Sequence, residues 1–423
     1  MSLVLFNPLG PDLNMKFYTI ESDSNYVATI VKLPELQKVE GLDNLMLANV
    51  FYGCLVSKDS VKDVPYVFFP AETVLSPKFL YHNSLYRDSM KNQNEKIKFF
   101  DDNRVKAIKF KVISSGFLIP ALSLIEFTSA ESANSLEIGT TFHNINGKEV
   151  CWKYRRPVAP DKLTKSQRMS KRLEKFDIVI PNQFRFHADT PQFLRFVSDF
   201  KHDSIVITEK LHTSAVFSNV LTKRKISLLE RLSKYLIHVR ETEYYHLYSS
   251  RSVIKNDNID DERNTGGYYE DLWFHARMLE EKIEKITLYE IVYTESQWIQ
   301  KYHYGCKPCE SKFYCYRITY TTADGVVIEF TDSQIRQYCS LRSIEVVPLL
   351  QVLTINKESF ERLTNVYPKI IEVMCSMNEK VPREVVIRRD GQETYSAYKL
   401  KSQLFLTHET KMIDTGEDLE SNS

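Results

Sequence analysis

The 423-residue chain holds only 12 glycines, under half of the usual share of about 7%. Few positions can therefore take positive φ freely or bring the backbone close to a ligand. The chain also lacks any apolar run of the ~18–20 residues that span a bilayer, which excludes a membrane-spanning helix. Its first residues, MSLVLFNPLGPDLNMKF, have neither a basic start nor a long apolar stretch, so no secretory signal is expected there. The seven cysteines are odd in number and scattered, which argues against a disulfide framework and fits a reducing compartment. A soluble, cytoplasmic protein is the expectation. Internal repeats are absent. The composition that remains, 43% hydrophobic and 26% charged, is that of a globular protein too long for one ordinary domain.

The formal net charge of +1 hides a local excess. Residues 153–175, KYRRPVAPDKLTKSQRMSKRLEK, carry nine Lys/Arg against two acids. Such a basic connector is either solvated or lies on a phosphate backbone. Before it, residues 1 to about 150 read as mostly β. In VKAIKFKVI (105–113) the alternation places Ile108, Phe110 and Val112 on one face and Lys109 and Lys111 on the other, the pattern of a half-buried strand. FYGCLVS, YVFFP and SSGFLIPALSL add further short strands, and several such strands in so short a stretch suggest a small barrel. After the connector, strands (DIVIP, SIVITEK, ITLYEIVY, KFYCYRITYTT, GVVIEFT, EVVIRRD, AYKLK) alternate with helical stretches at 226–236 and 271–284. A hairpin is expected to turn at Asp324-Gly325. The acidic tail from about 413 is expected to fray.

Several charges of the second region sit within otherwise apolar strands. Lys210 ends one, in ITEKLHTSAVF, where it is either a surface charge or a nucleophile. Glu290 lies in YEIV and Glu384 in REVVI. Lys399 and Lys401, two apart in YKLK, share one face of a strand. Arg251 follows the aromatic strand ending in Ser249-Ser250. Burying a charge is costly unless it is paired or bound to a metal. One candidate nucleophile, two carboxylates and three cations together suggest a site that handles a metal and a phosphate.

In this order the segments resemble the motif series of the covalent nucleotidyltransferases, the ATP-dependent ligases and mRNA capping enzymes. EKLHTSAVF resembles motif I, SSRSVIKN motif Ia, YEIVY motif III, KFYCYRIT motif IIIa, REVVIRRDG motif IV and YKLK motif V. The details are most similar to the nick-sealing ATP-dependent RNA ligases, which carry an N-terminal OB-fold module and a C-terminal nucleotidyltransferase domain. LEIGTTFHNINGKEVCWKY looks like the end of that OB module. The resemblance spans nearly the whole chain. It implies an α+β protein: a small OB-like β-barrel over 1–154, a basic linker over 155–175, and over 176–423 a nucleotidyltransferase domain of ATP-grasp-like antiparallel sheets with flanking helices.

The resemblance further implies that Lys210 attacks ATP to form a lysyl-AMP, that AMP passes to a 5′-phosphate, and that a 3′-OH then expels it. Lys399 and Lys401 would grip the α-phosphate, and Arg251 would contact the ribose or the substrate phosphate. Glu290 and Glu384 would hold Mg²⁺ or Mn²⁺. Glu209, Leu211 and His212 would line the nucleotide site with them. Tyr316 is either the platform under adenine or ordinary core. His212 is either a base or substrate contact, or a structural histidine. The implied partner is nicked duplex RNA or an RNA/DNA hybrid with RNA on the 3′-OH side, sealed by a monomer. In the OB-like module Lys106, Lys109, Lys111, Phe99 and Phe100 are candidates for nucleic-acid contact.

Three motifs depart from the family pattern. Motif I usually has a glycine after its histidine, motif III one after E-I-V, and motif IV one after its glutamate. Here Thr213 follows His212, Tyr293 follows Val292 and Val385 follows Glu384. These losses leave open a catalytically impaired nucleic-acid-binding homologue, and a DNA ligase is the sibling alternative. His303, Cys306, Cys309 and Cys315 have the number of ligands of a structural zinc site but no second C-x-x-C. Of Arg388 and Arg389, adjacent on a strand, at most one faces the site and the other is expected to be solvated.

Overall fold

The computed structural model describes residues 16–19, 25–62, 64–94, 99–128, 133, 136–155, 179–184, 190–196, 200, 204–211, 214–250, 254–255, 292–298, 313–322, 324–366, 371 and 384–415. The fold mixes several antiparallel sheets with few helices. Two compact units result, one formed by Met1–Arg156 with Lys401–Asn422 and the other by Pro157–Leu400 with Ser423. The C-terminal segment thus groups with the first unit, whereas the sequence pattern assigned it to the second domain. The 155–175 linker lies, except for Arg155, outside the described residues.

The first unit is organised by strands β1 (Ala28–Lys32), β2 (Leu36–Lys38), β3 (Leu45–Ala48), β4 (Cys54–Ser57), β5 (Pro65–Pro70), β6 (Gly116–Pro120) and β7 (Thr141–Phe142). One sheet runs β6-β5-β1-β7 and another β2-β3-β4. Strand β5, PYVFFP, is apolar on both faces because each face meets a different core. Val67 and Phe69 pack with Ile30, Leu75 and Phe79, while Tyr66 and Phe68 pack with Val31, Cys54 and Leu118. Helix α1 (Pro77–His82) starts where Ser76 Oγ accepts from Phe79 N at 3.2 Å with Pro77 in the first turn, and it buries Phe79 and Leu80.

Glycine is kept where nothing else fits. At the β6–β5 pairing, a Cβ on Gly116 would stand 2.4 Å from the Phe69 carbonyl oxygen. Elsewhere the chain makes left-handed turns with side chains: Phe51, Glu72, Ser84, Lys111, Asn146, Asn182 and Ser343 all have positive φ. Lys111, at φ 61°, breaks the alternation expected over 105–113. That stretch forms a short hairpin, Ile108–Phe110 with Val112–Ser114. Val105 and Ala107 are buried, whereas Ile108 and Phe110 are exposed, contrary to the half-buried strand expected.

Helix α4 (Gln403–Thr415, numbered after α2 and α3 below) is capped by Ser402 Oγ, which accepts from Phe405 N at 3.0 Å. It buries Phe405, Leu406, Thr410 and Ile413. A buried polar cluster fastens it within the first unit. Arg104 Nε donates to Glu72 Oε2 at 2.6 Å, Thr410 Oγ1 donates to Glu72 Oε1 at 2.7 Å, and Arg104 Nη1 meets Asp414 Oδ1 at 2.5 Å. The Arg104 guanidinium also lies 4.4 Å from the Tyr154 ring. Burial pushes the Glu72 carboxyl up to about 7, against the pull of Arg104 and Thr410, and the nearby Glu409 charge adds to the rise.

Among the described residues the second unit holds two antiparallel sheets. The strands are β8 (Ser204–Glu209), β9 (Ser214–Lys223), β10 (Thr242–Ser250), β11 (Ile254–Lys255), β12 (Val292–Trp298), β13 (Phe313–Thr321), β14 (Val327–Glu329), β15 (Leu349–Thr354), β16 (Glu384–Arg389) and β17 (Ala397–Lys401). One sheet has the order β15-β8-β16-β17 and the other β11-β10-β9-β12-β13-β14. The hairpin expected at Asp324-Gly325 joins β13 to β14, with Thr322 N donating to Val326 O at 2.8 Å. Residues 226–236 supply a short helix, α2 (Leu228–Ser233), closed by a Ser227/Glu230 capping box. Helix α3 (Asp332–Ser340) begins with a Thr331/Gln334 capping box and buries Ile335 and Cys339. The helix expected at 271–284 lies outside the described residues.

Candidate active site

Strand β8 positions Lys210. Ile205, Val206 and Ile207 are all buried, as a strand flanked on both edges requires, with β15 and β16 as its neighbours. The ladder with β16 runs to Glu209 opposite Val385. Lys210 then leaves the strand, and its backbone N donates to Glu384 O at 2.9 Å. Its side chain returns to the same residue, with Nζ 2.8 Å from Glu384 Oε2. The Glu384 side chain is only 1% exposed and that of Lys210 15%. A buried carboxylate thus meets a lysine that remains reachable from solvent. Two motifs separated by 174 residues are joined by one ion pair and one backbone bond.

The residues around this pair divide into two kinds. Leu211 is fully buried and packs with Tyr314 and Val347, so its side chain is core. Tyr316 is half-buried against the same cluster. In the β12–β13 register Glu295 pairs with Arg317 and Ser296 with Cys315, so Tyr316 is the extra residue of a bulge. Tyr314 and Tyr316, two residues apart, both meet the cluster that includes the neighbour of Lys210. Glu209 is buried, and its backbone N donates to Pro348 O at 3.0 Å.

Strand β17 follows β16 in the sheet and carries Lys399 and Lys401, both buried. Lys399 N donates to Pro191 O at 2.8 Å. Just before Lys399 and on the other face, Tyr398 packs against Phe193, Phe196 and Phe200. Lys401 Nζ lies 2.7 and 2.6 Å from the two carboxylate oxygens of Glu409. Arg251, His212 and Glu290 lie outside the described residues. So do His303, Cys306 and Cys309 of the possible zinc set, while Cys315 is buried with its thiol 3.8 Å from the Arg317 carbonyl oxygen. Among the described residues, no group of three or more His, Cys, Asp or Glu comes together in a way that could hold a metal ion. Glu384 nonetheless offers the oxygen donors that a hard divalent cation prefers, beside the lysine.

Arg388 and Arg389 differ from expectation. Arg388 is buried, donates to the Phe330 carbonyl and lies 3.5 Å from Asp390 Oδ1. Arg389 is half-buried with its guanidinium 5.6 Å from the Phe200 ring. Neither is a freely solvated charge, because Phe330 and Asp390 engage Arg388 and the Phe200 ring lies under Arg389. Tyr395, which sequence reasoning passed over, lies between Arg388 at 5.7 Å and Arg317 at 4.0 Å. Glu409 was also passed over; its only sequence signal is a carboxylate eight residues beyond Lys401 on an amphipathic helix.

No protein-family model and no curated protein matches the sequence. Solved structures do match. An apo form of a variant of the RNA ligase from Naegleria gruberi superposes with a TM-score of 0.56 at 15% identity, covering 92% of this chain and 99% of the other. The same ligase with pyrophosphate gives 0.55 at 15% identity, covering 91% and 98%. A variant with AMP and manganese gives 0.54 at 16% identity, covering 90% and 98%. The chain has the fold of an RNA ligase. The likeness extends over both units rather than one, in agreement with the coverage of more than nine-tenths in the first of these matches. Among the described residues no helix is long and apolar enough to cross a membrane.

Proposed function

We propose that the chain is an ATP-dependent RNA ligase that works through a covalent Lys210–AMP. The observation that carries the reading is the Lys210–Glu384 pair at the end of β8, in a chain with an RNA-ligase fold. A 2.8 Å contact between these two residues, 174 apart in the chain, supports reading them as parts of one site. In the first step the Lys210 amine attacks the α-phosphorus of ATP; an N–P bond forms, the bond to the β-phosphate oxygen breaks and pyrophosphate leaves. Next a 5′-phosphate oxygen attacks the AMP phosphorus and frees Lys210. Finally a 3′-OH oxygen attacks the activated 5′-phosphorus and AMP departs.

The lysine must shed its proton to attack, since its ordinary pKa is about 10.4. Glu384 Oε2 accepts from Nζ at 2.8 Å and fixes its direction, while neighbouring lysines and a bound divalent metal would favour the neutral amine. Lys399 and Lys401 are assigned to the α-phosphate, where charge builds in the transition state. Tyr316 is assigned to the adenine face. Glu384, with Glu290, would hold Mg²⁺ or Mn²⁺, which neutralises phosphate charge when bound. Within the first unit the reading assigns an OB-like module whose exposed Phe99, Lys109 and Lys111 join Lys106 and Phe100 as nucleic-acid contacts. The substrate is a nick in duplex RNA or an RNA/DNA hybrid with RNA on the 3′-OH side, sealed by a monomer.

Intact mass after incubation with ATP and Mg²⁺ tests the reading. A gain of one AMP, about 329 Da from its formula, is expected for the wild type and not for Lys210→Ala. Absence of the adduct from protein first shown to be free of AMP sinks it. The motif glycines missing after His212, Val292 and Glu384 favour a second reading, a binding-only homologue. Two of these positions argue against it. Tyr293 pairs with Thr319, before the bulge in that ladder, and Val385 pairs with Glu209, so neither backbone requires a glycine's freedom. Sealing assays with RNA or DNA on the 3′-OH side separate an RNA ligase from a DNA ligase.

A further inference from the structure

Lys401 is a cation with little access to water: its side chain is 6% exposed. A buried ammonium is tolerable only with a counter-charge and partners for its N–H groups. Glu409, one helical turn or more into α4, supplies both. Its two carboxylate oxygens lie 2.7 and 2.6 Å from Nζ, and the Phe405 ring lies 5.3 Å from the same nitrogen. The backbone around Lys401 is fixed as well. Lys401 N donates to the Tyr52 hydroxyl at 3.0 Å, and Gln403 Nε2 donates to the Tyr52 carbonyl at 3.0 Å. Glu409 is itself held, because the next residue, Thr410, donates to Glu72 and accepts from Ala107 N at 3.2 Å, while Asp414 meets Arg104.

From this we infer that Glu409 is a positioning residue for adenylylation: it holds the Lys401 ammonium in place before ATP arrives. The inference rests on the reading of Lys401 as a phosphate-contacting lysine. Lysine has four rotatable side-chain bonds, and freezing them in advance removes an entropic cost from the chemical step. A bidentate carboxylate fixes the direction of the ammonium by two charge-assisted hydrogen bonds. Removal of Glu409 therefore leaves ATP binding largely intact, because other groups also hold the nucleotide, but slows the step in which charge develops on the α-phosphate.

The test is single-turnover formation of the AMP adduct by the full chain, followed by intact mass across a range of ATP concentrations. Wild type, Glu409→Gln and Thr410→Val are compared. Glu409→Gln is expected to lower the rate constant at saturating ATP by about tenfold or more, with the half-saturating ATP concentration and the final adenylylated fraction little changed. Thr410→Val loosens α4 without removing the carboxylate, and it is expected to lower the melting temperature while keeping the rate constant. A purely structural role for Glu409 would lower the adenylylated fraction and leave the rate constant alone, which overturns the inference. So does a Glu409→Gln rate equal to wild type, or a Thr410→Val protein slowed as much as Glu409→Gln. A wild type that forms no adduct removes the ligase reading and this inference together; a wild type that does form it lets this inference fail alone.

Discussion

Glu72→Gln isolates the charge of one buried carboxyl. Glu72 lies at φ 66° with its side chain 3% exposed, paired to Arg104 and Thr410. Glutamine has nearly the same shape and the same backbone cost, so the comparison removes the ionisation and little else. Burial lifts the carboxyl from an ordinary 4.5 to about 7. Between those values the folded protein binds a proton that the unfolded chain has released, and stability must therefore fall as pH rises. The interval of about 2.5 pH units at 1.36 kcal/mol each gives about 3 kcal/mol. Below pH 4.5 Glu72 is neutral in both states, and above 7 it is charged in both, so the wild type minus variant difference is flat outside the window. For a unit of this size, about 3 kcal/mol corresponds to about 6–12 °C in melting temperature. Glu230, held down to about 2 chiefly by the Ser227 backbone N–H, titrates outside this range. The assay is calorimetry of both proteins between pH 4.5 and 8. The wild type is expected to lose stability relative to Glu72→Gln as pH rises. The opposite slope would mean that the Arg104 pair outweighs burial, and would refute the reasoning.

Other outcomes follow from the same structure. Tyr316→Ala is expected to raise the ATP concentration needed for half-maximal adduct formation by about tenfold, the loss of one base–aromatic stack; an unchanged value would return Tyr316 to the core cluster it touches. Gly116→Ala places a Cβ against the Phe69 carbonyl and the Phe68 ring, and should destabilise the first unit by about 1–3 kcal/mol, read as a lower melting temperature. Burial pushes the Cys54 thiol up to about 12, so at pH 8 a maleimide should spare it in the folded protein and label it after unfolding, a contrast seen by peptide mass mapping.

What could be read from the sequence and what could not divide along a physical line. The segment SIVITEK showed its strand because all three central residues are apolar, and the charge at its end stood out against them. Glu384 stood out for the same reason: a carboxylate opening an apolar strand must find a partner, and Lys210 is that partner. The alternation in VKAIKFKVI misled because it assumes extended backbone throughout, and Lys111 takes a left-handed conformation that no pattern of hydrophobicity announces. The place of α4 was hidden for another reason. No helix is expected there from the sequence, and its polar partners, Glu72 and Arg104, precede it by more than 300 residues. Contacts so distant in sequence leave no local pattern to read. Strand β17 and helix α4 are consecutive in sequence, yet the unit boundary falls between Leu400 and Lys401. The two lysines of one short motif therefore draw their support from different places: Lys399 through its backbone bond to Pro191 in the second unit, and Lys401 through Tyr52 and Glu409 in the first. A motif of alternating lysines fixes that they share a face. It carries no information about which partners hold each one, and that difference in support makes Glu409 rather than any motif residue the most informative position to change.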